Sequence, residues 1–195
     1  PQAADSLGIR VETGQAHLLH YTRELKERGK YDLTIWPYHA MLGGIGHALV
    51  PSLEEAIFFH TICRKTQPSL VLKGQNANTE SYSAIGPEVL TGADGQILAR
   101  KNESFLQLAI EHDMVVIAGE AKSHCVAFTV TDLLEEINQV DPQLAGRVFL
   151  LEDCTSPVVI PDVVDYTQPA DDFFARFAKA GMHVVQSTAS LDEWF

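Results

Sequence analysis

Cysteine is scarce and unpatterned. Cys63, Cys125 and Cys154 are the only three in 195 residues, an odd number with no C-x-x-C spacing, which argues against a disulfide framework or a zinc ribbon and fits a reducing, cytoplasmic setting. Long apolar runs are missing too: Met114 to Gly119 and Phe149 to Leu151 fall far short of the ~20 residues a membrane span requires. Positive charge is in deficit, with 14 Lys and Arg against 26 Asp and Glu for a formal net charge of −12. Such a field repels nucleic-acid phosphates and anionic membrane surfaces. No internal repeat, low-complexity tract or long Pro/Gly/Ser linker divides the sequence, so one domain spanning residues 1–195 is the economical reading.

What the sequence does have is an ordinary globular composition, 46% hydrophobic and 21% charged, at a length that can bury roughly 70% of the unfolded chain's surface. Five short apolar runs, Asp32 to Trp36, Ser69 to Lys73, Met114 to Gly119, Val148 to Glu152 and His183 to Ser187, read as buried strands. Between them lie helical patterns with recognisable boundaries. Ser52-Leu-Glu-Glu55 forms a capping box, Asn102 can cap a helix through His112, Asp141 precedes Pro142, and Gly181 closes a helix from about Pro169. Residues 15–29, with His17, Leu18, Tyr21 and Leu25 at helical spacing, predict a surface helix. Continuous rather than alternating apolar strands, in strand-helix-strand order, predict an α/β fold: a three-layer αβα arrangement around a mainly parallel, Rossmann-like sheet with helices on both faces. Residues 75–100 carry Gly, Pro, Asn and Asp with little periodicity and read as an irregular excursion beyond the sheet edge.

Three stretches can carry chemistry. In Ala118-Gly-Glu-Ala-Lys-Ser-His-Cys-Val126 a strand passes through a glycine turn into the helical pattern Cys125 to Ile137. A thiol in the first turn of a helix faces unsatisfied N–H groups that favour the thiolate and can hold an oxyanion; the alternative is a small buried hydrophobe. In Ser69-Leu-Val-Leu-Lys-Gly74 a lysine ends an apolar run at the edge where open sheets bind ligands, although an isolated lysine is more often simply solvated. Trp36-Pro-Tyr-His-Ala-Met-Leu-Gly-Gly-Ile-Gly-His47 lacks the third glycine and the distal acid of a dinucleotide fingerprint. Its histidines can supply a metal ligand or a structural hydrogen bond, and neighbouring residues do not complete a three-ligand zinc set.

Together these stretches resemble the nicotinamidase-like cysteine hydrolases of the isochorismatase-like hydrolase superfamily, over most of the chain. Trp36-Pro37-x-His39 and its glycine-rich turn resemble the family's W-P-x-H-C stretch. Lys73-Gly74 followed by Tyr82-Ser83 resembles K-G…Y-S, Gly119 to Val126 resembles the nucleophile turn, and Asp153-Cys154 matches a position where the cysteine is not catalytic. The resemblance implies that Cys125 is the nucleophile, Lys73 the catalytic lysine, and the backbone N–H groups of Ala121 and Cys125 an oxyanion hole, with a cis peptide before Ala121. Glu120, His124 and Tyr82 would line the substrate site. His39 falls on a metal-ligand position of metal-dependent members, so a divalent metal such as zinc is implied there, while the cysteine chemistry itself requires no cofactor. The implied partner is a small carboxamide, and the family's habit of self-association implies a homo-oligomer.

Departures from the pattern are specific. The family's aspartate-bearing first strand has no counterpart before residue 32, and the D-x-H pair that completes the metal site is absent. The expectation is therefore a domain lacking that strand, the larger part of a longer protein. Ala40 replaces a common cysteine, and Glu120, Lys122 and His124 replace more usual residues in the turn. Besides amide hydrolysis, two other functions stay open. One is a catalytically silent small-molecule binder or assembly protein on the same fold; the other is a thiol redox sensor, which requires a resolving cysteine near Cys125.

Overall fold

The computed structural model describes residues 11–194. Five helices are present among them: α1 (Val11–Glu27), α2 (Pro51–Arg64), α3 (Glu103–Glu111), α4 (Ala127–Val140) and α5 (Thr167–Lys179). Strands β1 (Val115–Ile117), β2 (Val148–Leu151) and β5 (His183–Val185) form a parallel sheet in the order β1-β2-β5. A short antiparallel ribbon, β3 (Val159–Ile160) with β4 (Val164–Asp165), precedes α5. The α/β class and the parallel sheet are those the sequence pattern predicts.

The central strand explains why a short run of apolar residues pairs so firmly. Strand β2 is bonded on both sides, Val115 and Ile117 standing opposite Val148 and Leu150, and His183 and Val185 opposite Phe149 and Leu151. Successive side chains of a strand point to opposite faces. Val148 and Leu150 enter a cluster with Val130, Leu133 and Ile137 of α4 and Phe174 and Phe177 of α5. Phe149 points the other way, its ring stacked on His183 at 4.5 Å and on Trp194 at 5.7 Å. Residues 75–100 are irregular apart from one bridge, Thr91 to Ile97. They are not a free excursion, because Ile85 joins the main core and Val89 packs with Tyr21 and Leu25 of α1.

Two expected strands do not form. Asp32 to Trp36 and Ser69 to Lys73 carry no ladder bonds to any described strand, and Ile35 and Leu70 are 87% and 84% exposed. A strand needs a neighbour's N–H and C=O groups, and apolar composition alone cannot supply them. Among the described residues strand β1 is paired on one side only, and neither run pairs with its other edge, where an apolar trough of about 370 Å³ is lined by Phe105, Leu108, Val116 and Leu133. Helix α2, which joins the two runs, consequently has no buried residue. Its start also differs: Val50 is the N-cap with Pro51 at the first helical position, so Ser52 is not the cap. Asn102 does cap α3, its side chain accepting from the Phe105 N–H at 3.1 Å. Asp141 accepts from the Gln143 N–H at 3.0 Å, but heads a 3-10 turn, Pro142–Arg147, rather than an α-helix.

The unequal burial has a measurable consequence. Phe177→Ala, at a fully buried site, is expected to cost about 3–5 kcal/mol of unfolding free energy. Phe58→Ala on α2, where the ring is 66% exposed, is expected to stay within about 0.5 kcal/mol. Denaturant titration of the two variants checks this; equal losses would mean that α2 is packed in solution.

Candidate active site

The chain leaves β1 at Ile117 and turns at Gly119, whose φ of 118° lies where side-chain-bearing residues are disfavoured. The Glu120–Ala121 peptide is cis, as the resemblance implied. One π-helical turn, Lys122–Val126, then leads into α4. The loop after β2 fixes this turn from outside. Gly119 N–H donates to the Cys154 carbonyl at 3.0 Å and Lys122 N–H to the Ser156 carbonyl at 2.8 Å, while Ser123 Oγ accepts from Val158 N–H at 3.0 Å. Buried Lys122 adds ion pairs to Asp171 at 2.7 Å and Glu152 at 3.3 Å. Cys125 is thereby held, half-buried, at the entrance to α4 and beyond the carboxyl end of β1.

Lys73 reaches that thiol without sitting on a strand. Its Nζ donates to the Ser81 carbonyl at 2.8 Å, to the Tyr82 carbonyl at 2.9 Å and to Cys125 Sγ at 3.2 Å. The two carbonyls fix the ammonium's orientation toward the sulphur. Among the described residues no carboxylate lies within ion-pairing distance of Lys73. Lys73, rather than Cys125, also borders a recess of about 340 Å³ shared with Gln75, Ser83 and Arg100.

Next to the thiol, His124 is buried, its ring 4.6 Å from Tyr166, 4.9 Å from Tyr31, 5.3 Å from Tyr82 and 5.4 Å from Trp36. Desolvation pulls its pKa down to about 4, so the ring is neutral near pH 7, with Nδ1 at 2.8 Å from Ser123 Oγ. The phenol of Tyr82 accepts from Trp36 Nε1–H at 2.8 Å and faces Glu80 Oε1 at 3.5 Å. Tyr21 donates to Glu80 Oε2 at 3.2 Å. Burial pushes the Tyr82 phenol well above its ordinary range and raises the Glu80 carboxyl as well.

Of the residues expected at the site, Lys73, Cys125 and Tyr82 are joined by direct contact, and His124 packs on the Tyr82 ring. The Glu120 carboxylate is engaged by Ser156, through its N–H at 3.2 Å and its hydroxyl at 2.9 Å. His39 is exposed, with Nδ1 at 2.7 Å from the Pro37 carbonyl. Among the described residues no group of three His, Cys, Asp or Glu side chains could hold a metal ion, so the ligand set present does not fit a divalent cation at His39. Sequence reasoning missed Tyr31, Glu80 and Tyr166. They come from separate segments and share no motif, so only their convergence in space marks them.

No protein-family model matches the sequence, and no curated protein matches it. Solved structures do. The yeast nicotinamidase Pnc1p, in a complex with the inhibitor nicotinaldehyde, aligns with a TM-score of 0.50 at 17% identity, over 80% of this chain and 61% of that one. A nicotinamidase/pyrazinamidase of Acinetobacter baumanii aligns at 0.48 and 20% identity, over 80% and 60%. A pyrazinamidase of Pyrococcus horikoshii, solved with zinc, aligns at 0.45 and 16% identity, over 91% and 88%. The chain thus spans about three-fifths of the length of the first two. The likeness to the yeast enzyme supports the α/β fold, and at these identities fold is what it shows. Among the described residues no helix is long and apolar enough to cross a membrane.

His124 makes stability depend on pH in a defined direction. Its folded pKa, about 4, lies below the ordinary 6.5, so the unfolded chain binds more protons between those values. The neutral ring's contribution is full above pH 6.5 and is lost as pH falls towards 4, at up to about 1.4 kcal/mol per pH unit. Denaturation midpoints between pH 4 and 7 are expected to fall more steeply in the wild type than in His124→Phe. Equal slopes would contradict a buried neutral histidine.

Proposed function

We propose that the protein is a cysteine hydrolase that cleaves the C–N bond of a small carboxamide. The observation that carries this reading is the Lys73 Nζ to Cys125 Sγ contact of 3.2 Å at the mouth of α4. The thiolate of Cys125 attacks the amide carbonyl carbon, and the N–H groups of Ala121 and Cys125 receive the charge that develops on its oxygen. The C–N bond breaks as the departing nitrogen takes a proton and leaves as ammonia. Water then attacks the thioester, releasing the carboxylic acid and the thiol. Lys73 is the residue in contact with sulphur that can carry a proton through both steps. Tyr82 and the neutral ring of His124 would wall the site.

A second reading retains the fold as a small-molecule binder without turnover. What favours it is the lack, among the described residues, of a carboxylate paired with Lys73, which leaves the proton transfers to the lysine alone. Ammonia release from a panel of small carboxamides, including nicotinamide and pyrazinamide, separates the two. Turnover by the wild type is expected, abolished in Cys125→Ala and lowered roughly 10²–10⁴-fold in Lys73→Ala. The melting curve of Lys73→Ala is compared with the wild type, since the variant also loses the ammonium's hydrogen bonds to the Ser81 and Tyr82 carbonyls. Ligand-induced stabilisation with no ammonia from any amide would favour the binder.

A further inference from the structure

A thiol poised as a nucleophile is also open to oxidation, and the group placed to respond is not another cysteine. None of the three cysteines is disulfide-bonded. Cys63 lies on α2, and the Cys154 thiol faces its neighbour, Asp153 Oδ1, at 3.8 Å. A cysteine sulfenic acid is resolved either by a thiol or by a nitrogen that condenses with it to a sulfenamide. The backbone nitrogen after Cys125, on Val126, is committed to the Ala121 carbonyl at 3.1 Å. Lys73 Nζ, by contrast, stands 3.2 Å from the sulphur itself.

The hydrogen bonds around this amine bear on its reactivity. Two of its three N–H bonds are taken by the Ser81 and Tyr82 carbonyls, and the third points at Cys125. Loss of that third proton leaves the lone pair aimed at sulphur. The half-buried thiol and the exposed lysine are both within reach of a small oxidant and of water, and Lys73 carries no ladder bonds to any described strand.

We propose that Lys73 resolves oxidised Cys125 through a reversible Sγ–Nζ bond that masks both groups and protects the thiol from irreversible oxidation. In the first step the thiolate attacks one oxygen of hydrogen peroxide and the O–O bond breaks. Sulphur is oxidised by two electrons to the sulfenic acid, and the peroxide is reduced to water. In the second, the Lys73 ammonium gives a proton to solvent, Nζ attacks sulphur, and the S–O bond breaks with its oxygen leaving as water. The sum is thiol plus amine plus peroxide giving sulfenamide plus two waters. Two equivalents of a thiol reductant reverse it, becoming a disulfide as they restore the thiol and the amine. The inference rests on the same Lys73–Cys125 contact as the proposed hydrolysis but not on turnover.

The test is intact mass and peptide mapping of the full chain after hydrogen peroxide, quenching and iodoacetamide. The expected product has lost about 2 Da, the two hydrogens of that balance. It should join the Lys73 and Cys125 peptides, block labelling at Cys125, and revert with dithiothreitol. Lys73→Arg, with its melting curve checked against the wild type, is expected to lose the cross-link and pass to the sulfinic acid, about 32 Da heavier. Sulfinic acid in the wild type without a cross-link, a gain of about 14 Da marking an oxygen-bridged link, or a disulfide from Cys125 to Cys63 or Cys154 would each overturn the proposal. The mass map uses no substrate, so a cross-link without carboxamide hydrolysis removes only the hydrolase reading. Hydrolysis without a cross-link removes only this one.

Discussion

Pairing of β2 on both edges is the constraint from which the site follows. Among the described residues Val148–Leu151 is the one strand of the parallel sheet with a neighbour on each side, and its buried Val148, Phe149 and Leu150 face two directions at once. Helices α4 and α5 pack against one face. The loop that follows β2 then meets the loop that follows β1, with the Cys154 and Ser156 carbonyls accepting from Gly119 and Lys122. Cys125 therefore owes its position less to its own helix than to a strand some twenty residues further along the chain, and open parallel sheets place their ligand sites at this same carboxyl edge.

Lys73 is positioned in a different way. It arrives on a segment with no partner among the described strands, after the exposed helix α2. What holds it is its own ammonium, which spans the Ser81 and Tyr82 carbonyls and the Cys125 sulphur. Segment 79–89 is anchored in turn by Ile85 and Val89 in the two apolar clusters and by the Tyr21–Glu80–Tyr82–Trp36 hydrogen bonds. The lysine is thus positioned from the segment that receives it rather than from the one that carries it. Both the proposed hydrolysis and the proposed sulphur–nitrogen link draw on that arrangement.

How much of this was legible in the sequence depended on whether local residues or distant ones decide the outcome. Met114 to Gly119, Val148 to Glu152 and His183 to Ser187 were readable as strands because each is apolar, short and bounded, and each found a neighbour. Asp32 to Trp36 and Ser69 to Lys73 look the same in composition, yet their outcome turns on pairing partners that no local pattern encodes. The Asn102 cap was readable because capping is a contact across three residues. Ser52 misled because Pro51, the better first helical residue, moved the helix start ahead of it. At the site, Cys125, Lys73 and Tyr82 stood in motifs, whereas Glu80, Tyr31 and Tyr166 became visible only when separate segments converged.

The proposed hydrolysis depends on Cys125 being a nucleophile through its contact with Lys73. Iodoacetamide labelling rates at each cysteine, followed by peptide mapping near pH 7, test it most directly, since Cys63 is exposed and Cys154 is half-buried like Cys125. Cys125 is expected to label faster than Cys63 despite being the less accessible of the two, and Lys73→Ala to remove the advantage. A Cys125 that labels no faster than Cys63 and Cys154 would contradict it.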